Sequence, residues 1–328
     1  NHNGDMAKAK QLIDVAAEAG VDMVKFQTFK ADTLVSKGAK KAEYQSNNIE
    51  DADDSQYHML KKLELSHQDH LALTAYCNER HIQFFSTAFD TEGLDYLNSL
   101  GFERFKVPSG EITNYPYLKK LSALGKPVIL STGMANLKEI KDALEVLTSE
   151  GLTRKEITVL HCNTEYPTSM EDVNLKAMLS IREALGVEVG YSDHTLGIEV
   201  PIAAVALGAT VIEKHFTLDR ELPGPDHRAS LEPDELKAMV TSIRNIERAI
   251  SGSGIKEPSR SEEKNKIVVR KSLHANKKLP NGHVLVESDL VPLRPANGIS
   301  PMDINKVLGQ KINKSINSFE MLSWEDLQ

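Results

Sequence analysis

Short apolar runs alternate with amphipathic segments along most of the chain. The runs predict seven buried strands, at Val21–Gln27, Gln83–Ser86, Arg104–Val107, Val128–Leu130, Ile157–His161, Val187–Tyr191 and Thr210–Ile212. Helical periodicity predicts the helices Met6–Ala19, His67–Arg80, Thr91–Leu100, Tyr115–Leu124, Leu137–Ser149, Leu175–Leu185, Gly197–Gly208 and Pro233–Ile250. Alternating strands and helices are typical of a parallel sheet covered by helices.

Seven strand–helix units come close to the eight of a (β/α)8 TIM barrel, which takes ~250 residues. We expect an eighth strand just before Asn1, so that the barrel's first strand is truncated here and Asn1–Asp5 forms the loop above it. The alternative is an open doubly wound sheet. The chain has no GxGxxG loop, and polar residues close nearly every strand, which favours the barrel. The long polar segment 30–62 is expected to leave the barrel as an excursion with some helix.

A Gly-, Ser- and Pro-rich stretch beginning at Ser251 predicts a linker. The predicted organisation is a barrel domain over residues 1–250, a linker over 251–265 and a small β-rich domain over 266–328. In the small domain we expect a turn at Pro280–Gly282 and extended runs at Val268–Leu273, Val284–Val286 and Val291–Leu293. Because few apolar side chains are evident there, the small domain is expected to need a docking surface.

The composition restricts the class of protein. Of 328 residues, 40% are hydrophobic and 26% charged, which is an ordinary globular balance. No apolar run approaches the ~20 residues of a membrane span. The net charge of −8 disfavours nucleic acid and anionic membranes as partners, so an anionic substrate would need a local basic pocket. Two isolated cysteines, Cys77 and Cys162, indicate a reducing cytoplasm rather than a disulfide framework.

In a (β/α)8 barrel the active site lies at the C-terminal ends of the strands. Lys25 and Lys106 lie there inside apolar strands, where an unpaired ammonium group is costly. Each nearby hydroxyl alone is more simply a helix cap, but seven polar strand ends together favour a phosphate site. The strand ends carry Gln27, Ser86, Thr87, Ser109, Glu111, Ser131, Thr132, Asn163, Thr164, Glu165, Tyr166, Ser192, Asp193, His194, Glu213 and His215.

Two histidines, His194 and His215, follow neighbouring strands. A single histidine at a strand end is more often structural, but two that meet at one edge of a sheet suit a divalent transition metal. Asp193 and Glu213 lie beside them in sequence, and we expect these carboxylates to fix the imidazole tautomers.

The motifs that carry this chemistry resemble the sialic acid synthase (N-acetylneuraminate synthase) family, which joins a phosphoenolpyruvate-condensing barrel to a C-terminal antifreeze-like (SAF) domain. The matches run in order over almost the whole chain. They are NHNG (1–4), VKFQT (24–28), FST (85–87), FKVPSGEITNYP (105–116), ILSTGM (129–134), LHC and EYPT within 160–168, YSDHTLG (191–197), EKHFTLDR (213–220), PGPDH (223–227) and RPANGIS (294–300).

The resemblance implies condensation of phosphoenolpyruvate with N-acetylmannosamine, or a close analogue, and water to give N-acetylneuraminic acid and phosphate. It implies that His194 and His215 bind Mn²⁺, or another divalent cation such as Mg²⁺ or Co²⁺, and that Lys25, Lys106 and Glu111 are catalytic. It implies substrate binding by Gln27, Thr87, Ser109, Ser131, Asn163, Thr164, Tyr166, Ser192, Asp226 and Arg294. It also implies a homodimer with a swapped C-terminal domain, in which Arg294 reaches the partner's barrel.

The chain departs from the family pattern at two places. An acidic residue of the family would lie upstream of Asn1. Thr164 stands where the family has a sugar-contacting asparagine, and Asn163 comes one place earlier. A legionaminic or pseudaminic acid synthase acting on a diacetamido-trideoxy hexose is therefore an alternative.

Two other classes of function remain open from the sequence. The first is a Schiff-base aldolase with Lys25 or Lys106 as nucleophile, which borohydride with pyruvate would trap as an adduct. The second is a non-catalytic sugar-binding or ice-binding-like protein. The presence of both lysines, both histidines and Glu111 argues against the second.

Overall fold

The computed structural model describes residues 1–49 and 53–328. The chain forms two compact units, Asn1–Ser251 and Gly252–Gln328. Within the described residues, no helix combines the length and the apolar character needed to cross a membrane.

The described residues of the first unit contain seven strands that pair in parallel. They are β1 (Met23–Thr28), β2 (Gln83–Ala88), β3 (Phe105–Val107), β4 (Val128–Ser131), β5 (Ile157–Cys162), β6 (Glu188–Asp193) and β7 (Ile212–Lys214). β1 pairs with β2, and β3 to β7 pair in sequence order. Because all pairs are parallel, the C-terminal ends of the strands share one edge.

Helices connect these strands and cover them. They are α1 (Met6–Ala19), α2 (Ala31–Leu34), α3 (Glu43–Asn48), α4 (Gln56–Lys61), α5 (His67–Glu79), α6 (Thr91–Ser99), α7 (Tyr115–Ser122), α8 (Leu137–Thr148), α9 (Lys176–Leu185), α10 (Glu199–Ala206) and α11 (Pro233–Ile250). The short helices α2, α3 and α4 form the predicted excursion, of which residues 50–52 lie outside the described part of the chain.

Helix α8 illustrates how local sequence produces the outer layer. Asn136 caps the helix by accepting from the amides of Lys138 and Glu139, and Glu139 accepts from the Asn136 amide in return. Spacings of three and four residues put one face of the helix in the core, at Ile140, Ala143, Leu144 and Leu147. The inner layer is buried in the same way, since every residue of β3 and β4 is buried and all but Lys106 and Ser131 are apolar.

The first and last parts of the unit meet. Lys25 of β1 pairs with Glu213 of β7 at 3.0 Å, and Arg244 of α11 pairs with Asp22 at 2.8 Å. In an open sheet with this strand order, the first and last strands would lie at opposite edges. A cavity of about 480 Å³ is lined by residues of both β1 and β7, and no hydrogen-bonded strand of the described residues lies between them. The predicted α/β barrel class is therefore confirmed, with seven strands in the described residues.

One strand boundary differs from the prediction in a way that affects the site. The last strand was expected at Thr210–Ile212 but lies at Ile212–Lys214, opposite Tyr191, Ser192 and Asp193. Glu213 and Lys214 are therefore strand residues and not the start of the following loop.

The second unit has its own core. Helix α12 (Arg260–Val269) precedes the antiparallel strands β8 (Ser272–Ala275) and β9 (Leu290–Leu293), and α13 (Ile304–Val307) follows them. Its buried apolar cluster consists of Leu273, Ala275, Leu279, Leu285, Leu290, Ile299, Val307, Ile312, Ile316 and Leu322. The expectation of few apolar side chains is therefore wrong, whereas the need for a docking surface stays a prediction.

Helix α12 corrects two further predictions. It occupies the end of the predicted linker 251–265, and Val268 and Val269 are helical rather than extended. None of its residues is buried, and the sequence accordingly lacks the apolar stripe by which a helix that packs on a core is predicted. The predicted run Val284–Val286 contributes an isolated antiparallel bridge from Val284 to Lys311 instead of a strand.

A buried ion pair joins β6 to β7. Asp193 and Lys214 lie 2.5 Å apart, with 0% and 1% of their side chains exposed. Asp193 also accepts from the amide and hydroxyl of Thr195. Breaking a buried pair leaves one charge in the interior without compensation.

We therefore expect Asp193→Ala to lower the free energy of unfolding by ~3–5 kcal/mol, measured by urea denaturation, because Lys214 is left unpaired. The matched control is Asp142→Ala, which removes the exposed pair with Lys138 and should change stability by ~0.5 kcal/mol or less. An equally small effect of the two substitutions would contradict this view of Asp193.

Candidate active site

The predicted site residues of the barrel unit lie along the shared edge of the parallel strands. β1 brings Lys25 and Gln27, β2 brings Thr87, and β3 brings Lys106. The register then places Cys162 opposite Ser192, and Ser192 opposite Glu213. Side chains that are far apart in sequence are thereby adjacent.

The central feature is a carboxylate between two ammonium groups. Glu213 lies 3.0 Å from the Nζ atom of Lys25 and 3.5 Å from that of Lys106. Ser192 donates a hydrogen bond of 3.1 Å to Glu213, and Lys106 donates one of 2.6 Å to Ser131. One negative and two positive charges therefore lie within direct contact.

Burial and charge act in opposite directions on this cluster. Burial lowers the pKa of Lys106, which is 3% exposed, while Glu213 acts to raise it. Burial raises the pKa of Glu213, but the charges of Lys106 and Lys25 outweigh it, and the pKa of Glu213 is lowered overall. Counted by formal charge, one carboxylate and two lysines give the cluster a surplus of one positive charge, which suits an anion.

Hydroxyl groups surround the cluster. Ser109 accepts from the amide of Gly133 at 2.9 Å, and its Oγ lies 3.4 Å from the sulfur of Cys162. The Thr87 hydroxyl is buried and has no hydrogen-bond partner among the described residues. An unsatisfied buried hydroxyl costs ~1–3 kcal/mol, so Thr87 is a donor that a bound ligand would satisfy.

Gly133 lets the strand ends approach one another. A Cβ atom at Gly133 would lie 2.4 Å from the methyl group of Thr164 and 2.8 Å from the hydroxyl of Ser109. No side chain fits in that space. Glycine at position 133 therefore allows both Thr164 and Ser109 to pack directly against the backbone there.

The two histidines lie side by side. The ring centroids of His194 and His215 are 5.3 Å apart, and the ring of Tyr166 lies 4.0 Å from His194 and 5.7 Å from His215. His194 Nδ1 donates to the carbonyl of Asn163 at 2.5 Å. Burial lowers the pKa of His194 to about 4 and that of His215 to about 3, so both rings are neutral near pH 7.

Neutral imidazole is the form that binds a metal ion, and the bond to Asn163 leaves Nε2 of His194 for a ligand. The pair fits a divalent cation in part. Among the described residues, no group of three or more His, Cys, Asp or Glu side chains is arranged to hold a metal. Two protein ligands are therefore available, and the remaining positions would fall to substrate or water.

The neighbouring carboxylates do not hold the imidazoles as expected. Asp193 pairs with Lys214, and Glu213 faces Lys25, Lys106 and Ser192. The acidic group near the histidines is Asp226, whose Oδ2 lies 3.9 Å from Nδ1 of His215. Burial raises the pKa of Asp226.

The other predicted residues are more peripheral. Gln27 is exposed at the end of β1, and Glu111 is half-buried in the turn after β3, where it accepts from Asn114 Nδ2 at 2.5 Å. The side chain of Asn163 accepts from the amide of Glu165 at 2.7 Å. Arg294 is exposed and belongs to the second unit, directly after β9.

Sequence reasoning missed the part that Glu213 plays. The sequence did contain a signal for this role: Glu213 is an acidic residue at the end of an apolar run, and two other apolar strands contain lysines. It became visible only with the β6–β7 register, which sets Glu213 opposite Ser192.

Comparisons with known proteins cover both units of the chain. Residues 12–256 match the NeuB family and residues 270–328 match the SAF domain. The chain is 53% identical to an N,N'-diacetyllegionaminic acid synthase of Campylobacter jejuni, over 98% of this chain and 96% of that protein. It is 47% identical to an N,N'-diacetyllegionaminic acid synthase of Legionella pneumophila, over 100% of this chain and 92% of that protein.

A solved structure is also similar. The N-acetylneuraminic acid synthetase of Leptospira borgpetersenii matches with a TM-score of 0.71 and 33% identity, over 81% of this chain and 86% of the other. The chain therefore belongs to the NeuB family of sugar-acid synthases and carries a SAF domain at residues 270–328.

Proposed function

We propose that this enzyme is an N,N'-diacetyllegionaminic acid synthase, which condenses phosphoenolpyruvate and water with a diacetamido-trideoxy hexose and releases phosphate. The observation that carries the choice of product is the 53% identity to the Campylobacter enzyme of that name, against 33% to the sialic acid synthetase of Leptospira. The comparisons thus favour the alternative sugar over N-acetylmannosamine, which the motifs had put first.

Phosphoenolpyruvate is proposed to bind at the lysine cluster. Its carboxylate and phosphate are anionic, and Lys25 and Lys106 supply the surplus positive charge. Charge-assisted hydrogen bonds to such groups are stronger than neutral ones. The hydroxyls proposed to complete the cradle are those of Thr87, Ser109, Ser131 and Ser192.

The sugar is proposed to bind beside the histidines, on loops that follow the strands. Thr164 lies against Gly133, and Tyr166 packs on His194, so both are close to the proposed phosphoenolpyruvate site. Gln27, Glu111, Asn163 and Asp226 are proposed to complete the polar lining. An amide substituent on the sugar needs such partners, because a buried amide without a hydrogen bond is costly.

His194 and His215 are proposed to hold Mn²⁺ or a similar divalent cation. When bound, such an ion supplies Lewis acidity to the carbonyl oxygen of the open-chain sugar. The neutral state of both rings and their 5.3 Å separation support this assignment.

The chain's own groups are proposed to act on charge and geometry. A bond forms between the methylene carbon of phosphoenolpyruvate and the sugar's aldehyde carbon, water adds at the enol carbon, and phosphate leaves with the C–O bond electrons. Lys25 and Lys106 balance the anionic charge in a site that partly excludes water. Glu111, in the turn after β3, is the carboxylate proposed to accept a proton from the attacking water.

We also propose that the enzyme is a two-fold homodimer in which Arg294 contacts the partner's barrel. Arg294 is exposed in a loop of the second unit, and a guanidinium fork can bind an amide carbonyl or a carboxylate. An exchange of this kind is isologous and closes at two chains.

The proposed product predicts the substrate preference. With phosphoenolpyruvate and Mn²⁺, we expect kcat/KM for a manno-configured diacetamido-trideoxy hexose to exceed that for N-acetylmannosamine by ~10-fold or more, because a polar group built for the second amide is left unpaired. Phosphate release measures the rate. A panel including the altro-configured sugar tests the pseudaminic alternative, and preference for N-acetylmannosamine would overturn the proposal.

A pair of lysine variants controls this assay. Lys106→Met should lower kcat/KM by ~100-fold or more, because it removes a buried positive charge from the site. Lys126→Met removes a lysine that donates to the carbonyl of Phe102, away from the site, and should leave kcat/KM unchanged. Equal activity of the two variants would locate the chemistry elsewhere.

The metal assignment predicts a binding defect. We expect His215→Ala to weaken Mn²⁺ binding by at least ~10-fold in calorimetry, since it removes one of two protein ligands. His58→Ala, an exposed histidine paired with Asp53, is the matched control and should bind normally. EDTA should abolish phosphate release and added Mn²⁺ should restore it. Full activity in EDTA would exclude the metal role.

The dimer proposal predicts complementation. Chains carrying Arg294→Ala are mixed with chains carrying His215→Ala, under conditions that exchange subunits. If Arg294 serves the partner's barrel, a mixed dimer has one site with both lesions and one with neither, and activity returns. If mixed dimers form and activity stays absent, Arg294 serves its own barrel.

A further inference from the structure

The loop Pro223–His227 carries Asp226, and distant asparagine side chains hold its backbone. Asn3 Nδ2 donates to the carbonyl of Pro223 at 2.7 Å, across 220 positions of sequence. Asn48 Nδ2 donates to the carbonyl of Pro225 at 2.7 Å, across 177 positions. Two amides from remote segments therefore fix the carbonyls on either side of Gly224.

His227 makes the same loop rigid from inside. It is fully buried, its Nδ1 lies 2.7 Å from the hydroxyl of Thr217, and its Nε2 lies 3.1 Å from Oδ1 of Asn3. Because the Asn3 amide nitrogen is used as a donor to Pro223, its oxygen is the acceptor, and Nε2 of His227 carries the proton. Burial lowers the pKa of His227 to about 4, so Nδ1 is unprotonated and accepts from Thr217.

The contact between Asn3 and His227 is closely packed against Gly224. A Cβ atom at Gly224 would lie 2.6 Å and 2.8 Å from two ring atoms of His227 and 3.0 Å from Oδ1 of Asn3. The φ angle of Gly224 is +156°. The chain therefore needs glycine here for Asn3 and His227 to meet.

The backbone fixed in this way carries a site residue. Ser230 donates to the carbonyl of Asp226 at 2.6 Å, and Asn1 Nδ2 donates to Ser230 at 2.8 Å. The carboxylate of Asp226 comes to 3.9 Å from Nδ1 of His215. The position of Asp226 thus depends on bonds made by Asn1, Asn3 and Ser230, which are not hydrogen-bonded to the lysine cluster in the described residues.

We infer that Asn3, acting through His227, is a positioning residue that sets the place of Asp226 beside the sugar, and that Asn48 is a second anchor of the same loop. This inference rests on the proposed function where it concerns the sugar. Its consequence is selective, because the lysine cluster makes no contact with this loop in the described hydrogen bonds and should keep its affinity for phosphoenolpyruvate.

The test uses the full chain with Mn²⁺. Asn3→Ala should raise KM for the diacetamido sugar by ~10-fold or more and leave KM for phosphoenolpyruvate within ~2-fold. Amide hydrogen exchange across residues 223–228 should rise by ~10-fold or more, because the loop opens more often. Asn48→Ala should act in the same direction.

The matched control is Asn313→Ala. Asn313 Nδ2 also donates to a backbone carbonyl, that of Glu325, at 2.6 Å, but in the second unit. It should change neither KM nor exchange in residues 223–228. The double variant Asn3→Ala with His227→Gln should raise KM for the sugar no more than the more damaging single variant, because both substitutions remove the same contact between Asn3 and His227.

Two results would overturn the inference. One is unchanged exchange in residues 223–228 in Asn3→Ala. The other is an equal rise of both KM values together with a lower melting temperature, which indicates a general structural role. If the wild-type enzyme turns over none of the sugars, the proposed function fails, and the exchange measurement alone decides whether Asn3 holds the loop.

Discussion

The site depends on one interaction, the contact of Glu213 with both Lys25 and Lys106. An ammonium group inside an apolar strand is costly unless it is paired, and two of them close together repel each other. Glu213 offsets both costs, because its carboxylate lies 3.0 Å from the Nζ atom of Lys25 and 3.5 Å from that of Lys106. The contact also joins β1 to β7, so the same carboxylate that makes the lysines tolerable ties the first strand to the last.

The proposed binding of phosphoenolpyruvate at this cluster explains how an acidic protein can take an anionic substrate. The net charge of −8 belongs to the whole surface, whereas the cluster has one surplus positive charge in a largely buried place. Electrostatic interactions are stronger where water is excluded, so the local surplus outweighs the distant, screened negative charges. The hydroxyl of Thr87, buried without a partner among the described residues, adds a donor whose cost a ligand would remove.

Much of the fold could be predicted from sequence because its causes are local. The apolar face and the cap of α8 are determined by about a dozen consecutive residues. The polar strand ends are expected because the active site of a (β/α)8 barrel lies at the C-terminal ends of its strands. Contacts between strands could not be predicted in this way. The last strand lies two residues later than its apolar run suggested, and that shift decides that Glu213 faces the lysines and Lys214 pairs with Asp193. Helix α12 was missed because it buries no side chain, although Ser259 and Glu262 form a capping box that signals its start.

The two halves of the site differ in how they are held. The lysines, Ser131, Ser192 and Glu213 are on strands whose register fixes them to their neighbours. Thr164, Tyr166 and Asp226 are on loops. Thr164 lies at the close approach to Gly133, Tyr166 packs on His194, and the loop of Asp226 is held by the bond from Asn3 to Pro223. A side chain on a strand moves only if the sheet itself moves, whereas the conformation of a loop can change when a single contact is gained or lost. With the two substrates bound as proposed, such a barrel can keep one anionic substrate while its loops adapt to different sugars, which is in line with relatives whose names specify different sugar acids.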